Sequence, residues 1–314
     1  MIRTETDPAH CRKLWDQFSP GQDPWDDWDL MFAFHDEARH EFNFLVHEAA
    51  DGSPDGMVPL VKDTTLDRFM LMAGSYPEGR VLWMRVEDFP EFFEAFPDRT
   101  VFFDLRQSWG SALLEHHPQY AANFAEQEPR YFLVPAEFGF DFYNHIDTFS
   151  SERKQKFLYD LRKIRKHEPK LQWSEDDEAD RFIELVNQNF GAESDYAREE
   201  DANEVRRVVD ELKQSGRLRT LTIEIDGVKQ AVSLSLLHGN KMVALYAGSN
   251  NDYSNLGKLL NVETIQEACR LRVDEISYMT GMRWKADWKM RSELCYTMRK
   301  PPAPWPDRTG GSAE

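Results

Sequence analysis

The second half of the chain alternates apolar and polar positions in patterns that predict a definite order of helices and strands. Apolar residues recur every three to four positions in some segments, typical of helices, and every second position in others, typical of strands. The predicted order is helix, helix, three strands, helix and two strands. The helices are predicted at 178–190 and 198–216 and, after a loop, within 251–272, and the strands at 217–227, 229–239, 241–250, 275–282 and 294–300.

This order predicts an α/β (α+β) fold with a mixed, mostly antiparallel sheet flanked by helices. Short turns such as Asp226–Gly227 join the first three strands as hairpins. The helix between the third and fourth strands is long enough for the crossover that a parallel pair requires. Where two neighbouring strands splay apart, we expect a cleft that ends at the N-terminus of this helix.

The first half has weaker periodicity and is rich in aromatic residues, most of which we assign to the core. Its pattern predicts two strands around a turn at 51–56, further strands and one short helix. The further strands are predicted at 68–75, 80–86 and 100–106, and the helix at 86–96.

The formal charge of −18 is distributed unevenly and suggests two domains. Residues 1–150 hold 28 acids and 11 bases, whereas residues 151–314 hold 28 acids and 27 bases. Such a charge excludes a protein that coats DNA or an anionic membrane over its whole surface. We predict an acidic N-terminal domain over 1–145, a second domain over 146–300 and a disordered tail over 301–314, which is rich in Pro, Gly and Ser.

Location and metal content follow from simple patterns. The first residues carry charges where a signal peptide needs an apolar stretch, and no run approaches 18 apolar residues. We therefore expect a cytoplasmic protein without a transmembrane segment. The three cysteines and the histidines have no metal-ligand spacing, so no metal is expected. Cys269 falls within a helical pattern, which indicates packing rather than chemistry.

Residues 152–170 form a strongly basic segment, with eight bases and three acids. Ser150 or Ser151 can cap a helix here, a buried stripe begins at Phe157, and Pro169 ends the segment. One interpretation is a solvated amphipathic helix. The other is a site for phosphate, a nucleotide or an RNA backbone, to which Arg162 and Arg165 would contribute.

The segment ALYAGSNNDYSNLGKLLNVETIQEA, which begins at Ala244, leads from a strand through a polar loop into a helix near Leu256. The first turn of a helix presents unpaired N–H groups and a partial positive charge, which suit a phosphate. Gly257 lets a ligand approach the backbone, and Lys258 adds positive charge. An ordinary strand–loop–helix turn is the alternative.

These segments resemble the GNAT acyltransferase superfamily, and more narrowly the CelD/BcsL-type acetyltransferases related to the FemAB aminoacyltransferases. The resemblance covers about residues 145–300. It rests on the basic helix, on the loop with Tyr253, Ser254 and Gly257, and on Gly281 followed by the Trp284–Lys285 pair and by Trp288. The acidic first half resembles the degenerate first domain of tandem GNAT proteins. The full pyrophosphate loop of the superfamily, with several glycines, is absent.

The resemblance implies an acyl-CoA donor, most simply acetyl-CoA, or an aminoacyl-tRNA as in the FemAB relatives. It implies that Lys285 stabilises negative charge at the reacting carbonyl; a surface lysine is the alternative. Strand alternation makes Glu224 a candidate general base or a solvent-facing carboxylate. Tyr246 and Tyr253 are candidates for a general acid or acceptor contacts, or they pack in the core or at its rim. Donor contacts are expected from Ser249, Asn250, Ser254, Gly257 and Lys258.

We therefore predict transfer of an acyl group to an amine or hydroxyl of a small molecule or saccharide. The alternatives are a FemAB-like enzyme that uses tRNA and a non-catalytic binding protein on a GNAT fold. The acidic first half favours a cationic or amine-bearing acceptor. The pattern leaves the acceptor, the pathway and the choice between monomer and homodimer open.

Overall fold

The computed structural model describes residues 1–300 and contains helices and strands throughout this range. The strands are β1 (Ile2–Glu5), β2 (His40–Phe42), β3 (Phe44–Glu48), β4 (Pro54–Val58), β5 (Leu60–Asp63), β6 (Arg68–Leu71), β7 (Thr100–Arg106), β8 (Phe124–Leu133), β9 (Lys170–Ser174), β10 (Leu218–Ile225), β11 (Val228–His238), β12 (Lys241–Ser249), β13 (Glu275–Thr280) and β14 (Arg291–Lys300).

The α-helices alternate with these strands, and short 3-10 turns occur at Pro24–Asp26, Val86–Asp88, Pro118–Asn123, Pro135–Phe138 and Gly191–Glu193. The α-helices are α1 (Pro8–Phe18), α2 (Trp28–Ala33), α3 (Phe89–Ala95), α4 (Gln107–His116), α5 (Phe142–Ile146), α6 (Ser151–Arg165), α7 (Ala179–Phe190), α8 (Glu199–Gln214), α9 (Leu256–Arg270) and α10 (Arg283–Asp287).

Contacts divide the chain into two compact units. The N-terminal unit comprises Met1–Arg130 together with residues 293–300, and the C-terminal unit comprises Tyr131–Ser292. The sequence-based domain boundary at 145/146 remains a prediction, and the predicted disordered tail lies outside the residues that the structure describes.

The N-terminal unit contains a three-stranded antiparallel sheet in the order β1-β3-β4 and a second group of strands in the order β2-β5-β6-β7-β14. In the second group β6 and β7 are parallel, and the other neighbours are antiparallel. Strand β14, the last of the chain, pairs with β7 and places Cys295 opposite Arg106. The predicted strand at 80–86 is wrong, because this segment forms only isolated bridges.

The C-terminal unit has the strand order β9-β10-β11-β12-β13. Its strands are antiparallel except for β12 and β13, which are parallel and joined by the crossover helix α9, as predicted. Ser150 caps α6 by accepting a hydrogen bond from the backbone N–H of Arg153 at 3.4 Å. Apolar residues of α6 and α9 share one core with Leu221 and Ile223 of β10. The chain thus has the predicted mixed, mostly antiparallel sheet flanked by helices.

The two units repeat one local feature. Each contains a parallel strand pair whose later strand, β7 or β13, carries a left-handed residue at its fifth position. These residues are Asp104, with φ 54°, and Met279, with φ 61°. A helix begins shortly after each strand, at Gln107 and at Arg283. Because non-glycine residues seldom adopt positive φ, the repeated placement supports a tandem arrangement of one fold.

Candidate active site

The parallel strands β12 and β13 separate after a short paired stretch. Backbone pairing joins Lys241–Val243 to Glu275–Ser277. Strand β12 then continues to Ser249, with an irregular register against β11 between Leu234 and Ser235. Strand β13 bends at the left-handed Met279 and ends at Thr280. The two strands therefore part beyond these pairs, and we take the gap between their ends as the cleft expected from the order of elements.

Helix α9 begins beyond the end of β12 and has an open N-terminus. Asn255 precedes it with φ 71° and provides no side-chain cap. The N–H groups of Gly257 and Lys258 have no hydrogen-bond acceptor within residues 1–300. A Cβ added to Gly257 would lie 3.1 Å from Ser249 Oγ, so this position is narrow for a larger residue. Two N–H groups and the helix dipole are therefore available to an anion.

Lys258 lies at this N-terminus and is held by two contacts. Its ammonium donates a hydrogen bond to Asp160 of α6 and lies 5.2 Å from the centre of the Phe157 ring. A chain of edge-to-face aromatic contacts continues from there towards α10. The ring centres of Phe157 and Trp288 are 4.9 Å apart, and those of Trp288 and Trp284 are 5.1 Å apart. Core packing thus connects the start of α9 with the segment that carries Lys285.

Lys285 is 4% exposed, and its Nζ donates a hydrogen bond to the backbone carbonyl of Thr280 at 2.8 Å. A surface lysine, the alternative considered for it, is therefore wrong. Between Thr280 and Lys285 the backbone adopts unusual conformations: Gly281 has φ 74°, and Met282 has φ 67° and ψ 107°. Glycine adopts positive φ without strain, whereas a non-glycine residue such as Met282 in this region costs about 1–3 kcal/mol, and such residues are concentrated at functional sites.

Glu224 and Tyr246 lie away from the start of α9. Glu224 forms an ion pair with Lys170 of β9 at 3.7 Å. Ile223, the residue before Glu224, lies across β11 from Ser249. At the usual strand spacing, the distance between Ile223 and Ser249 is about 10 Å. Tyr246 is buried and packs against the ring of Phe182 of α7, with ring centres 5.4 Å apart. The catalytic roles considered for both residues stay predictions.

The loop residues lie together at the end of β12. Ser249 and Asn250 are partly buried, and Ser254 is exposed. Tyr253 packs edge-to-face against His167, with ring centres 5.4 Å apart, and accepts through its carbonyl a hydrogen bond from the N–H of Leu256. The loop and the C-terminal end of α6 are therefore neighbours.

The two arginines singled out on α6 differ in their surroundings. Arg165 donates hydrogen bonds to Tyr143 Oη at 2.9 Å and to Glu263 of α9 at 3.2 Å. Partial burial lowers the pKa of the Arg165 guanidinium, but its hydrogen bonds and electrostatic attraction to Tyr143 and Glu263 together outweigh burial, so the pKa is raised. Arg162 is exposed and has no carboxylate within 4 Å in the described part of the chain. Arg162 is thus available to a ligand, whereas Arg165 already binds α9.

Thiol chemistry and metal binding receive no support. Burial raises the pKa of the Cys269 thiol to about 11 and that of the Cys295 thiol to about 12, so both stay protonated near neutral pH. Over residues 1–300, no three His, Cys, Asp or Glu side chains are grouped so that they could hold a metal ion.

None of the helices within residues 1–300 combines the length and apolar character needed to cross a membrane.

Sequence reasoning missed three residues that contact the candidate site: Asp160, Asn189 and Gln230. Asp160 neutralises Lys258, and the other two bind the loop after β12. Their polar character at helix and strand positions is ordinary, and their partners are distant in sequence. A single sequence therefore contains no signal that identifies them.

The strand order, the separation of β12 from β13 and the open N-terminus of α9 are the features expected of the GNAT acyltransferase fold. A sequence model of the acetyltransferase (GNAT) domain family matches residues 151–290. None of the curated proteins is significantly similar in sequence to the chain.

Solved structures with tandem or related folds align over nearly the whole chain. L-PGS from Bacillus licheniformis aligns with a TM-score of 0.56 at 11% identity, covering 94% of this chain and 92% of its own. FemX aligns with a TM-score of 0.55 at 11% identity, covering 95% and 96%. A tandem GNAT protein from the clavulanic acid biosynthesis pathway aligns with a TM-score of 0.51 at 10% identity, covering 97% and 99%. These similarities establish the fold.

Proposed function

We propose that the C-terminal unit transfers an acetyl or other acyl group from acyl-CoA to an amine or hydroxyl of a small molecule or saccharide. The observation that carries this proposal is the open N-terminus of α9, where Gly257 and Lys258 offer free N–H groups beside the cleft between β12 and β13. A pyrophosphate accepts hydrogen bonds from such groups and is stabilised by the helix dipole.

In this mechanism the acceptor nitrogen or oxygen attacks the thioester carbonyl carbon, and the C–S bond breaks as the tetrahedral intermediate collapses. The acceptor loses a proton, and the departing thiolate takes one up. Lys285, held beside the end of β13, stabilises the negative oxygen of the intermediate. Tyr253, in the loop before α9, is the candidate acid, and Glu224 is a candidate base that would act through water.

Addition of CoA should raise the thermal stability of the protein, since a ligand that binds only the folded state stabilises it. At a concentration of 100 times Kd the gain is about 2.7 kcal/mol. For a unit of this size, each kcal/mol raises Tm by about 2–4 °C. Differential scanning fluorimetry with CoA measures this shift, and Lys258→Ala should reduce it. A melting temperature that stays unchanged at millimolar CoA would overturn the acyl-CoA proposal.

The outer face of α6 favours aminoacyl-tRNA as a second candidate donor. Lys156, Arg162, Lys163 and Lys166 are exposed, and among residues 1–300 none of them has a carboxylate within 4 Å. Tyr159 lies among them on the helix and is 60% exposed. Unpaired bases around an exposed aromatic ring suit a phosphate backbone with a stacked base. This candidate would explain why the pyrophosphate loop of the superfamily is incomplete.

If tRNA is the donor, binding should weaken steeply with salt, because each neutralised phosphate releases counterions. Reversing the charges of Arg162, Lys163 and Lys166 to Glu should then lower the slope of log K against log salt by about 2–3. Lys213→Glu, at an exposed position on α8, is the control and should leave the slope unchanged. Fluorescence anisotropy with labelled tRNA at several salt concentrations measures it. Equal slopes for the triple variant and the wild type would contradict the tRNA candidate.

A further inference from the structure

The loop between β12 and α9 is fastened to the C-terminal unit from two sides. On one side lies the end of α7, which contributes Asn189, and on the other lies β11, which contributes Gln230. The two residues are 41 positions apart in sequence and contact neighbouring parts of the same loop. We propose that Asn189 and Gln230 are positioning residues that hold the loop so that the N-terminus of α9 faces the cleft.

Asn189 uses both ends of its amide on this loop. Its Nδ2 donates a hydrogen bond to the backbone carbonyl of Ser249 at 2.7 Å, and its Oδ1 accepts one from the N–H of Asn251 at 3.3 Å. An amide group can make this pair of bonds only in one orientation, because its two ends differ as donor and acceptor. Asn189 therefore fixes the direction of the backbone across Ser249–Asn251.

The approach of α7 to β12 depends on the absence of a side chain at Gly248. A Cβ at this position would lie 3.2 Å from the ring of Phe182 and 3.3 Å from a methyl group of Val186, both on α7. Because Gly248 immediately precedes Ser249, this close approach of α7 brings Asn189 within hydrogen-bond distance of the loop. Packing of α7 and hydrogen bonding by Asn189 thus act at the same point of the chain.

Gln230 secures the next residue of the loop through both its backbone and its side chain. Its backbone carbonyl accepts a hydrogen bond from the N–H of Asn250 at 2.8 Å, and its Oε1 accepts one from Asn250 Nδ2 at 3.0 Å. Gln230 is 9% exposed, so these bonds are shielded from water. Asn250 Oδ1 in turn accepts the N–H of Asp252 at 2.9 Å. The amide of Asn250 therefore bonds within the protein, and we assign it to supporting the loop rather than to contacting the donor.

The consequence is a preorganised anion site. Ser249, fixed by Asn189, lies against Gly257, and the next bonds in the loop, from Tyr253 to Asn250 and from Leu256 to Tyr253, lead directly into the first turn of α9. If the hydrogen bonds of Asn189 are lost, the loop is no longer held in one conformation. Part of the free energy of donor binding is then used to order the loop, so the donor binds more weakly. The donor-binding part of this inference rests on the proposed function, whereas the ordering of the loop does not.

Amide hydrogen exchange of the full chain tests the ordering of the loop. In Asn189→Ala we expect exchange of the hydrogen-bonded amides within 250–256 to become at least tenfold faster, while exchange in β10 and β11 stays as in the wild type. Asn189→Asp retains an acceptor for the Asn251 N–H and should give an intermediate rate. Gln188→Ala is the matched control, because Gln188 precedes Asn189 on α7 and donates to Glu184 of its own helix. Unchanged exchange of these amides within 250–256, or equal acceleration throughout the C-terminal unit, would overturn the proposal.

CoA binding provides the functional measurement. Isothermal titration of CoA should give a Kd about tenfold higher for Asn189→Ala and for Gln230→Met than for Gln188→Ala. In an acyl-transfer assay the same variants should raise KM for the donor and leave kcat nearly unchanged, a division that a general loss of folding would not produce. Equal Kd values for all three variants would remove the donor-binding part. Failure of the wild type to bind CoA would count against the proposed donor, and the exchange measurement would still decide whether the loop is held as proposed.

Discussion

Replacing Lys285 by methionine should lower kcat for acyl transfer by about 100- to 1000-fold, the usual cost of removing one donor to a developing oxyanion. Methionine is close to lysine in length and fills the same buried space, so packing is largely retained. The variant loses the ammonium and its hydrogen bond to the Thr280 carbonyl. Steady-state kinetics with saturating donor, together with the thermal shift in CoA, separates the loss of chemistry from loss of binding.

Lys289→Met is the matched control for this change. Lys289 belongs to the same segment, and its Nζ also donates to a backbone carbonyl, that of Thr148, but its side chain is largely exposed. We expect its kcat to stay within about twofold of the wild type. If Lys285→Met keeps wild-type kcat, Lys285 has no role in the chemistry. If instead no acyl transfer is found for the wild type, and the biological role survives Lys285→Met, the GNAT fold serves as a binding protein.

The strongly periodic segments of the C-terminal unit were predictable from the sequence. The spacing of apolar residues predicts helices at 178–190 and 198–216, and the structure has α7 and α8 within one or two residues of those limits. The three hairpin strands and the crossover helix α9 are also confirmed. Local periodicity succeeds here because each element buries one face against the same core, so propensity and packing agree.

Which strands pair with each other was harder to predict from the sequence. The pattern at 294–300 predicts a strand, and β14 forms there, but it pairs with β7 of the N-terminal unit. Alternation of side chains identifies a strand and its faces, but it carries no information on which distant strand completes the ladder. Strand β9, at Lys170–Ser174, was missed because its pattern is short and mostly polar, as is common for edge strands.

The candidate site also contains some features that local sequence patterns predict and others that depend on the fold. The loop with Tyr253 and Gly257 was found because its residue types and order resemble a known motif. The charge pattern of α6 gives Arg162 and Arg165 the same expected role, whereas the structure pairs Arg165 with Glu263 and shows no carboxylate partner for Arg162 among the described residues. Whether a base is free or neutralised depends on carboxylates about 100 residues away, which only the fold brings near.

Phe157 connects the core to the candidate site, and its replacement by alanine should have the largest effect on stability. The side chain is 4% exposed and contacts the rings of Phe142, Phe149 and Trp288. Removing a buried phenylalanine side chain costs about 3–5 kcal/mol, because transfer energy is lost and a cavity remains. Urea unfolding, followed by a signal from the C-terminal unit, measures this loss as a lower midpoint.

Phe190→Ala provides the comparison for Phe157→Ala, since Phe190 belongs to the same unit but is 51% exposed. Its unfolding free energy should stay within about 0.5 kcal/mol of the wild type. Phe157→Leu, which refills most of the cavity, should recover more than half of the lost stability. The ring of Phe157 also lies beneath the Lys258 ammonium and beside Trp288. We therefore expect Phe157→Leu, although folded, to show a smaller CoA shift than the wild type. An equal shift would mean that the aromatic contacts stabilise the core without supporting the anion site.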